Sequence, residues 1–202
     1  MRNKKRKICG VGVNDYEGVI RSQGEIMYEY VVWSDMIRRC YSVKERSRLP
    51  TYAGYQAEPY FHYFTNFLNF IKTLKGFNQR DEKGKVFEMD KDLLIKGNTI
   101  YSRSSICFLP SEVNKFLTKS NKSRGNCPIG VSYNKCVCKY VASINLEGKL
   151  KHLGCFNDQY EAFHAYKLVK EDAAKSLAEK YKDQIDQKAF DALLNFVVEE
   201  TD

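Results

Sequence analysis

The side chains best suited to chemistry lie in residues 87–117, FEMDKDLLIKGNTIYSRSSICFLPSEVNKFL. Asp90 and Asn114 carry oxygen atoms of the kind that Mg²⁺ and Mn²⁺ prefer. Lys91 could accept a proton only if burial or nearby cations disfavoured its ammonium form, and Asp90 and Asp92 beside it would oppose that change. Oxygen ligands for a divalent cation and a group that accepts a proton are the parts that metal-assisted hydrolysis requires.

The same segment has a pattern that predicts the elements positioning these side chains. A strand ends at Asp90, a turn passes through residues 96–98, and a second strand covers ICFL, residues 106–109. A helix begins near Ser111, whose hydroxyl could cap it. The predicted order is therefore strand, loop, strand and helix.

This order, together with the sequence ICFLPSEVN that ends at Asn114, resembles the ββα-metal site of phage HNH homing endonucleases. The resemblance implies that Asp90 and Asn114 hold a metal ion, Mg²⁺ or Mn²⁺, if the site is active. It puts Lys91 where the family has its general-base His and Ser105 where the family has the Asn that orients that His. Asp92 falls in the connecting loop of the catalytic segment. The metal half of the site is thus intact, and the base half is altered.

The altered base half leaves two interpretations of this segment open. In one, His62 or Tyr101 supplies the missing base and the segment belongs to a metal-dependent nuclease. In the other, Lys91 pairs with the neighbouring carboxylates at a charged turn, and Asn114 is a solvent-facing helix residue. His62 itself is more typical of a satisfied, partly buried His than of a catalytic one.

Residues 129–166, IGVSYNKCVCKYVASINLEGKLKHLGCFNDQYEAFHAY, predict three short strands and a helix. The strands are IGVSY, CKYVASIN and LKHLGCF, and the turn LEGK joins the last two. Asn157 or Asp158 can cap the helix, and Glu161 is in the position of a capping-box partner. Alternation along the second strand separates two faces, one with Tyr140, Ala142 and Ile144 and the other with Lys139, Val141 and Ser143.

This stretch resembles the Apetala-type DNA-binding domain of plant ethylene-response factors and of many phage homing endonucleases. The resemblance rests on the pattern GVSY…KYVASI…GK.KHLGCF…EAFHAY, and one departure is Tyr140, where the family commonly has Trp. In that family a twisted three-stranded sheet lies in the major groove and the helix braces its back. The resemblance implies that double-stranded DNA is the partner and that the sheet region contacts it through Lys135, Lys139, Tyr140, Lys149, Lys151 and His152.

The positive charge of the chain is concentrated in the same region. Residues 111–156 hold eight Lys and Arg against two Glu, a net charge of +6, whereas residues 157–202 hold six Lys and Arg against eleven Asp and Glu, a net charge of −5. A basic sheet beside an acidic helical segment suits phosphate contacts on one side only.

Composition excludes several other classes of protein. No apolar run approaches the roughly 18 residues that span a bilayer. The basic start MRNKKRK is not followed by an apolar stretch, so we expect a phosphate-contacting arm and no signal peptide. Seven scattered Cys favour free thiols in a reducing compartment. The resemblance to phage proteins implies that this compartment is the cytoplasm of a bacterial host. Zinc at Cys136 and Cys138 is disfavoured because no C-x-x-C knuckle is present.

The remaining pattern is mostly helical. Residues 28–42 and 60–74 predict two helices, and the second has an apolar stripe of Phe64, Phe67, Leu68 and Ile71. A stripe of Ala162, Tyr166, Val169, Ala173 and Leu177 follows the sheet. The last helix carries Phe190, Leu193, Leu194, Val197 and Val198 on one face, and we expect it to pack within the chain rather than to form a dimer.

The sequence thus predicts an α+β protein with two parts. Residues 1–118 form an HNH-like module with a basic arm, which the segment W.DMIRRCYS…PTY…F..F also supports by its resemblance to phage proteins that join both modules. Residues 119–202 form an Apetala-type domain with a helical extension. The expected function is a phage-type metal-dependent DNA endonuclease targeted by the sheet. The alternatives are a DNA-binding protein or regulator without catalysis, and an interaction protein that antagonises a host factor.

Overall fold

A computed structural model of the chain describes residues 7–118, 127–200 and 202. It contains helices and small, mostly antiparallel sheets, which confirms the α+β class. Its contacts divide the chain into two compact units, and each is described by itself. The first unit comprises Met1–Arg80 with Val86–Leu109, and the second comprises Asp81–Lys85 with Pro110–Asp202. The division by contacts falls before Pro110, whereas the motifs of the sequence suggested a boundary after residue 118.

The first unit has three helices and six short strands among its described residues. The helices are α1 (Tyr28–Tyr41), α2 (Val43–Arg48) and α3 (Phe64–Ile71), and the strands are β1 (Arg21–Ser22), β2 (Glu25–Ile26), β3 (Gln56–Ala57), β4 (Glu88–Asp90), β5 (Ile100–Tyr101) and β6 (Cys107–Leu109). β1 pairs with β2 and β4 with β6, both antiparallel, while β3 pairs in parallel with β5. Short 3₁₀ turns cover Pro50–Tyr52 and Pro59–His62, so His62 precedes α3 instead of lying within it.

The core of the first unit forms where α1 meets α3. Each helix buries the side chains that recur every three or four residues, because that spacing brings them to one face. The Trp33 indole nitrogen donates a 2.8 Å hydrogen bond to the Phe61 carbonyl, which satisfies its one polar atom inside the core. The predicted stripe of α3 is confirmed, and the buried residues of the two helices include Trp33, Met36, Ile37, Cys40, Phe64, Phe67, Leu68 and Ile71.

We call residues 87–117, which resemble the HNH site, the nuclease-like segment. Its two predicted strands occur where the sequence predicts them. β4 ends at Asp90 and pairs with β6 so that Asp90 lies opposite Cys107. Gly76 allows the chain to pass close to β6, since a Cβ atom there would lie 2.4 Å from the Phe108 carbonyl oxygen. The intervening strand β5 was not predicted. It forms through its pairing with β3, which is distant in sequence.

The second unit has three helices and one three-stranded sheet among its described residues. The helices are α4 (Ser111–Leu117), α5 (Gln159–Tyr181) and α6 (Gln187–Leu194), and the strands are β7 (Val131–Asn134), β8 (Lys139–Leu146) and β9 (Lys149–Phe156). The sheet is antiparallel in the order β7-β8-β9. Glu147 and Gly148 turn between β8 and β9 with φ of 54° and 78°, values typical of a tight hairpin turn.

The α5 helix packs across one face of this sheet. Val131, Ala142 and Ile144 of the strands are buried in one cluster with Ala162, Phe163 and Tyr166 of the helix. Asp158 caps α5 as expected, accepting hydrogen bonds from the Tyr160 and Glu161 amides at 2.7 and 3.2 Å. At Gly130 a Cβ atom would lie 2.1 Å from the Tyr166 ring, so only glycine allows this close approach.

Three side chains of α5 donate hydrogen bonds to α4. Glu112 accepts hydrogen bonds at Oε2 from the Lys180 ammonium at 2.7 Å and from the Tyr181 hydroxyl at 2.6 Å. The ammonium of Lys170, which is only 8% exposed, donates to the Phe116 carbonyl in the last turn of α4. These contacts explain why α4 groups with the second unit. Burial also lowers the pKa of Lys170 to about 8.

Three details of the second unit differ from the sequence-based expectation. α4 begins at Ser111 itself, so Pro110 is the N-cap and no side chain caps the helix. The buried side of α5 includes Phe163, Lys170 and Tyr181. α6 ends at Leu194, and Val197 is therefore exposed rather than part of the helix stripe. Among the helices in the part of the chain that the structure describes, none has the length and apolar character to cross a membrane.

The buried Lys170 predicts a pH dependence of stability. Below pH 8 both folded and unfolded chains hold the proton, and the buried charge opposes folding. Between pH 8 and the ordinary pKa of 10.5 only the unfolded chain keeps the proton, so the free energy of unfolding should rise with pH by up to about 3 kcal/mol. Denaturant unfolding at pH 7.5 and 9.5 should show this rise in the wild type and not in Lys170→Met. Lys175→Met, an exposed lysine of the same helix, should keep the rise, and an equal rise in Lys170→Met would contradict the assignment.

Candidate functional site

The sheet of the second unit has one face on α5 and one face turned away from it. Opposed residues of an antiparallel pair share a face, so the register of the strands assigns each side chain. The Val131–Ala142 pair is buried against α5, and the pairs on either side of it point the other way. We call the face turned away from α5 the outer face. It consists of Ser132, Asn134, Lys139, Val141, Ser143, Asn145, Leu150, His152 and Cys155.

A single-residue bulge in β9 decides which residues reach the outer face. Ala142 pairs with Gly154, but the next residue, Ser143, pairs with His152, so Leu153 is extra. Gly154 has a φ of 148°, which favours glycine at this position. Because of the bulge, His152 and Cys155 lie on the same face, and the Cys155 sulfur is 3.8 Å from the His152 Nε2 atom.

The six residues expected to contact DNA are divided by this register. Lys139 and His152 lie on the outer face, and Lys135 is exposed in the turn between β7 and β8. Tyr140 packs against the core, and its ring is 5.1 Å from that of Tyr133. Lys149 pairs with Leu146 and Lys151 pairs with Ile144, so both lysines belong to the face of the sheet that bears α5, although both are exposed. Tyr140, Lys149 and Lys151 are therefore not part of the outer face.

Several outer-face residues were not among those expected to contact DNA. Ser132, Asn134, Ser143 and Asn145 supply short polar side chains there, and such groups can bond to phosphates or to base edges. The period-two alternation of β8 already separates Ser143 from Tyr140. On β9, Gly154 is the sequence signal for the observed division of side chains between the two faces, because an isolated glycine within a strand pattern indicates a bulge.

The charge of the sheet is moderately positive. Residues 127–156 hold four Lys against one Glu, a net charge of +3, while residues 157–202 have a net charge of −5. On the outer face itself the charge comes from Lys139, and His152, opposite Ser143, supplies an imidazole. This arrangement provides one cation, one imidazole and several neutral hydrogen-bonding groups on one exposed surface.

In the first unit, Asp90 ends β4 and organises the loop that follows. Its Oδ1 atom accepts hydrogen bonds from the backbone amides of Asp92 and Leu93 at 2.9 and 2.8 Å. Burial raises the pKa of Asp90, and the two backbone hydrogen bonds partly counteract this effect. The carboxylate thus holds a tight turn, as Asp side chains commonly do.

Lys91 is the most unusual residue of this loop, because its charged side chain is only 3% exposed. Its ammonium lies 2.5 Å from the Asp92 carboxylate and donates a 2.7 Å hydrogen bond to the Asn98 carbonyl. It also lies 4.0 Å from the centre of the Tyr55 ring. Each of these contacts stabilises a cation. The geometry therefore favours a structural role for Lys91 over that of a general base, as in the interpretation that pairs it with a carboxylate.

Asn98 and Ser105 close the same loop. The Asn98 amide donates to the carbonyls of Lys91 and Ile100 at 2.9 and 2.6 Å, and its oxygen accepts from the Ile100 amide at 3.0 Å. Ser105 is fully buried; its hydroxyl donates to the Ile100 carbonyl at 2.7 Å and accepts from the Ser102 amide at 2.9 Å. Ser105 is bonded to backbone atoms of its own segment, which is a structural role.

These donors are a poor fit to a divalent metal ion. Asp90 and Lys91 lie in the first unit, whereas Asn114 lies on α4 in the second. In the first unit, Asp90 already accepts hydrogen bonds from two amides at Oδ1, and the buried ammonium of Lys91 is its sequence neighbour. Within residues 7–118, 127–200 and 202, no three His, Cys, Asp or Glu side chains are grouped in a way that could hold a metal. The donor set gives no support to Mg²⁺ or Mn²⁺.

The two residues considered as substitute bases are engaged elsewhere. His62 has its Nε2 atom 3.0 Å from the Tyr41 hydroxyl, and the two rings meet edge to face. Tyr101 is buried, and burial raises its pKa to about 12, so its hydroxyl keeps its proton at neutral pH.

Comparison with protein-family models, with curated proteins and with solved structures found no match to this chain. The resemblances to the HNH and Apetala-type families rest on the residues quoted above.

The contacts of Lys91 predict its effect on stability. Lys91→Met removes two charge-assisted hydrogen bonds and a cation–π contact from a buried position, so the free energy of unfolding should fall by about 1–3 kcal/mol. Asp92→Asn should lower the free energy of unfolding less, because the Asp92 side chain is 53% exposed and solvent screens its ion pair with Lys91. Denaturant unfolding monitored by circular dichroism measures both. An unchanged stability in Lys91→Met would contradict a structural role for this ammonium.

Proposed function

We propose that this protein binds duplex DNA through the outer face of the β7–β9 sheet, and that the segment around Asp90 and Lys91 serves the fold rather than hydrolysis. One observation carries the proposal: the sheet is braced by α5 on one side and exposes a polar face on the other. The major groove is about 12 Å wide and admits β-strands, so such a face can approach base edges.

The side chains of the outer face support this use. Lys139 and the nearby Lys135 can neutralise phosphates, which supplies affinity without sequence preference. Ser143, Asn145 and His152 can exchange hydrogen bonds with base edges or with phosphates. The face thus combines groups for positioning with groups for sequence readout.

The distribution of charge within the second unit supports the same orientation. The strands carry the positive charge, and the helical segment that follows them carries the negative charge. Phosphates are attracted to the sheet and repelled by residues 157–202. The outer face is the side of the sheet that α5 does not cover.

The contacts of the nuclease-like segment argue against a hydrolytic role. In the position that the HNH resemblance gives to the general base, Lys91 is buried and bonded as a cation. Ser105 is bonded to backbone atoms, and Asp90 holds two loop amides. This supports the interpretation as a DNA-binding protein or regulator derived from a homing enzyme over the interpretation as an active endonuclease.

The binding proposal predicts a salt-dependent affinity that depends on Lys139. In fluorescence anisotropy with a mixed-sequence duplex at 50–200 mM salt, each lost phosphate contact should reduce the slope of log Kd against log salt by about 0.9. The Lys135→Gln/Lys139→Gln variant should therefore bind several-fold more weakly with a smaller slope. Lys175→Gln, which makes a charge change on the acidic helix, should bind like the wild type. Salt-independent or absent binding by the wild type would overturn the proposal.

The structural role of the Asp90 segment makes a separate prediction. Supercoiled plasmid incubated with Mn²⁺ or Mg²⁺ should show no nicking above the level of the Asp90→Ala variant. Asp90→Ala removes the acceptor for two loop amides, so it should lower the free energy of unfolding by about 1–2 kcal/mol. Metal-dependent nicking that Asp90→Ala and Asn114→Ala both abolish would restore the endonuclease and refute this half of the proposal.

A further inference from the structure

The α2 helix of the first unit, Val43–Arg48, has no buried residue along its whole length. Val43 at its start is 81% exposed, and Lys44, Ser47 and Arg48 are exposed as well. A helix of six residues is far too short to be stable alone, and helices in proteins are normally held by an apolar face. Its retention on the surface therefore requires another explanation.

Polar contacts at one side hold α2 in place. Ser42 caps it by accepting a 3.3 Å hydrogen bond from the Glu45 amide. The Arg46 guanidinium turns inward and donates to the carbonyls of Cys40 and, at 3.2 Å, Tyr55. Arg46 thus anchors the helix to the end of α1, and the opposite side of α2 remains open.

The open side of α2 and the adjoining turn of α1 are rich in cations. Residues 35–48 hold five Lys and Arg against two Asp and Glu. Arg38, Lys44 and Arg48 are exposed, while Arg46 turns inward and Arg39 lies over the Tyr52 ring. Arg38 and Arg48 are exposed and pair with Asp35 and Glu45 at 2.7 and 2.8 Å. Lys44 is exposed and has no ion pair with any residue that the structure describes. We call Arg38, Lys44 and Arg48 the α2 basic surface.

The spacing of these cations does not favour the helix itself. Lys44 and Arg48 are four residues apart, so they are neighbours on one face, and like charges at this spacing destabilise a helix. Within the described part of the first unit, Arg48 pairs with Glu45, whereas Lys44 has no ion pair and its charge remains open to a partner. The same pair suits a ligand that presents regularly spaced negative charges.

We propose that the α2 basic surface is a second contact site for the phosphate backbone of nucleic acid. The choice of partner rests on the proposed function, because duplex DNA bound at the sheet is a polyanion that could also contact the α2 basic surface. Two sites on one chain strengthen each other, because binding at the first raises the effective concentration of DNA at the second. The α2 basic surface supplies affinity and no sequence readout, since its groups are cations suited to phosphates.

The experiment compares full-length variants that lose the same charge at different places. Lys44→Gln/Arg48→Gln removes two cations from the α2 basic surface, Lys135→Gln/Lys139→Gln alters the sheet region, and Lys175→Gln/Lys188→Gln makes the same charge change on the acidic segment 157–202. Each protein is titrated with one duplex between 50 and 200 mM salt, after its melting temperature confirms folding. The α2 pair should reduce the salt slope by about two and weaken binding roughly tenfold. The acidic-segment pair should change neither quantity.

The outcomes separate this inference from the proposed function. If the sheet variant weakens binding and the α2 pair binds like the wild type, the α2 inference is overturned and the function stands. If the α2 pair weakens binding and the sheet variant does not, the inference stands and the role of the sheet falls. If the α2 pair and the acidic-segment pair weaken binding equally, the effect is one of net charge and the inference is overturned.

A second probe tests the class of partner. Polyglutamate presents negative charge without the geometry of a phosphate backbone. The α2 pair should reduce the affinity for duplex DNA much more than the affinity for polyglutamate. Loss of polyglutamate binding with duplex binding unchanged would assign the surface to an acidic protein partner and overturn the proposal.

Discussion

One extra residue in β9, Leu153, determines which side chains the sheet can offer to a partner. Successive residues of a strand point to opposite faces, so a one-residue shift exchanges the two sets of side chains on one side of the shift. Because of the bulge, His152 and Cys155 share the outer face, while Lys149 and Lys151 pair with residues of the α5 side. The surface proposed to meet DNA is therefore fixed by pairing geometry, and a count of lysines along β9 does not describe it.

The nuclease-like segment illustrates how a motif and its chemistry can separate. The segment forms β4, β5 and β6 before α4, whereas the HNH resemblance implies two strands joined by a loop and then a helix. Inside the loop, however, a lysine ammonium is held by Asp92, Asn98 and the Tyr55 ring. Lys91 directly follows Asp90, the residue to which the resemblance assigns a metal ion. The loop is thereby closed by the protein's own groups.

The second unit depends on a comparable use of buried charge. Lys170 gives the last turn of α4 a hydrogen-bond donor, and Glu112 joins the first turn of α4 to the end of α5. Carbonyls at the end of a helix have no partner within it, and a cation there also interacts favourably with the helix dipole. Both contacts bind α4 to a helix more than fifty residues away, which makes α4 part of the unit that contains the sheet.

Local pattern in the sequence was sufficient for most of the elements. The 3.6-residue period predicted α1 and α3, alternation predicted β7 to β9, and a cap at Asn157 or Asp158 predicted the start of α5, because these signals depend on neighbours within one or two turns. The bulge at Leu153, the pairing of β3 with β5, and the burial of Lys91 against Tyr55 were decided only by the tertiary structure. Each depends on residues that are distant in sequence, or on a register that alternation alone leaves open. The sequence therefore determined which elements form and where charge concentrates, and the tertiary structure decided which side chains face a partner and which are enclosed.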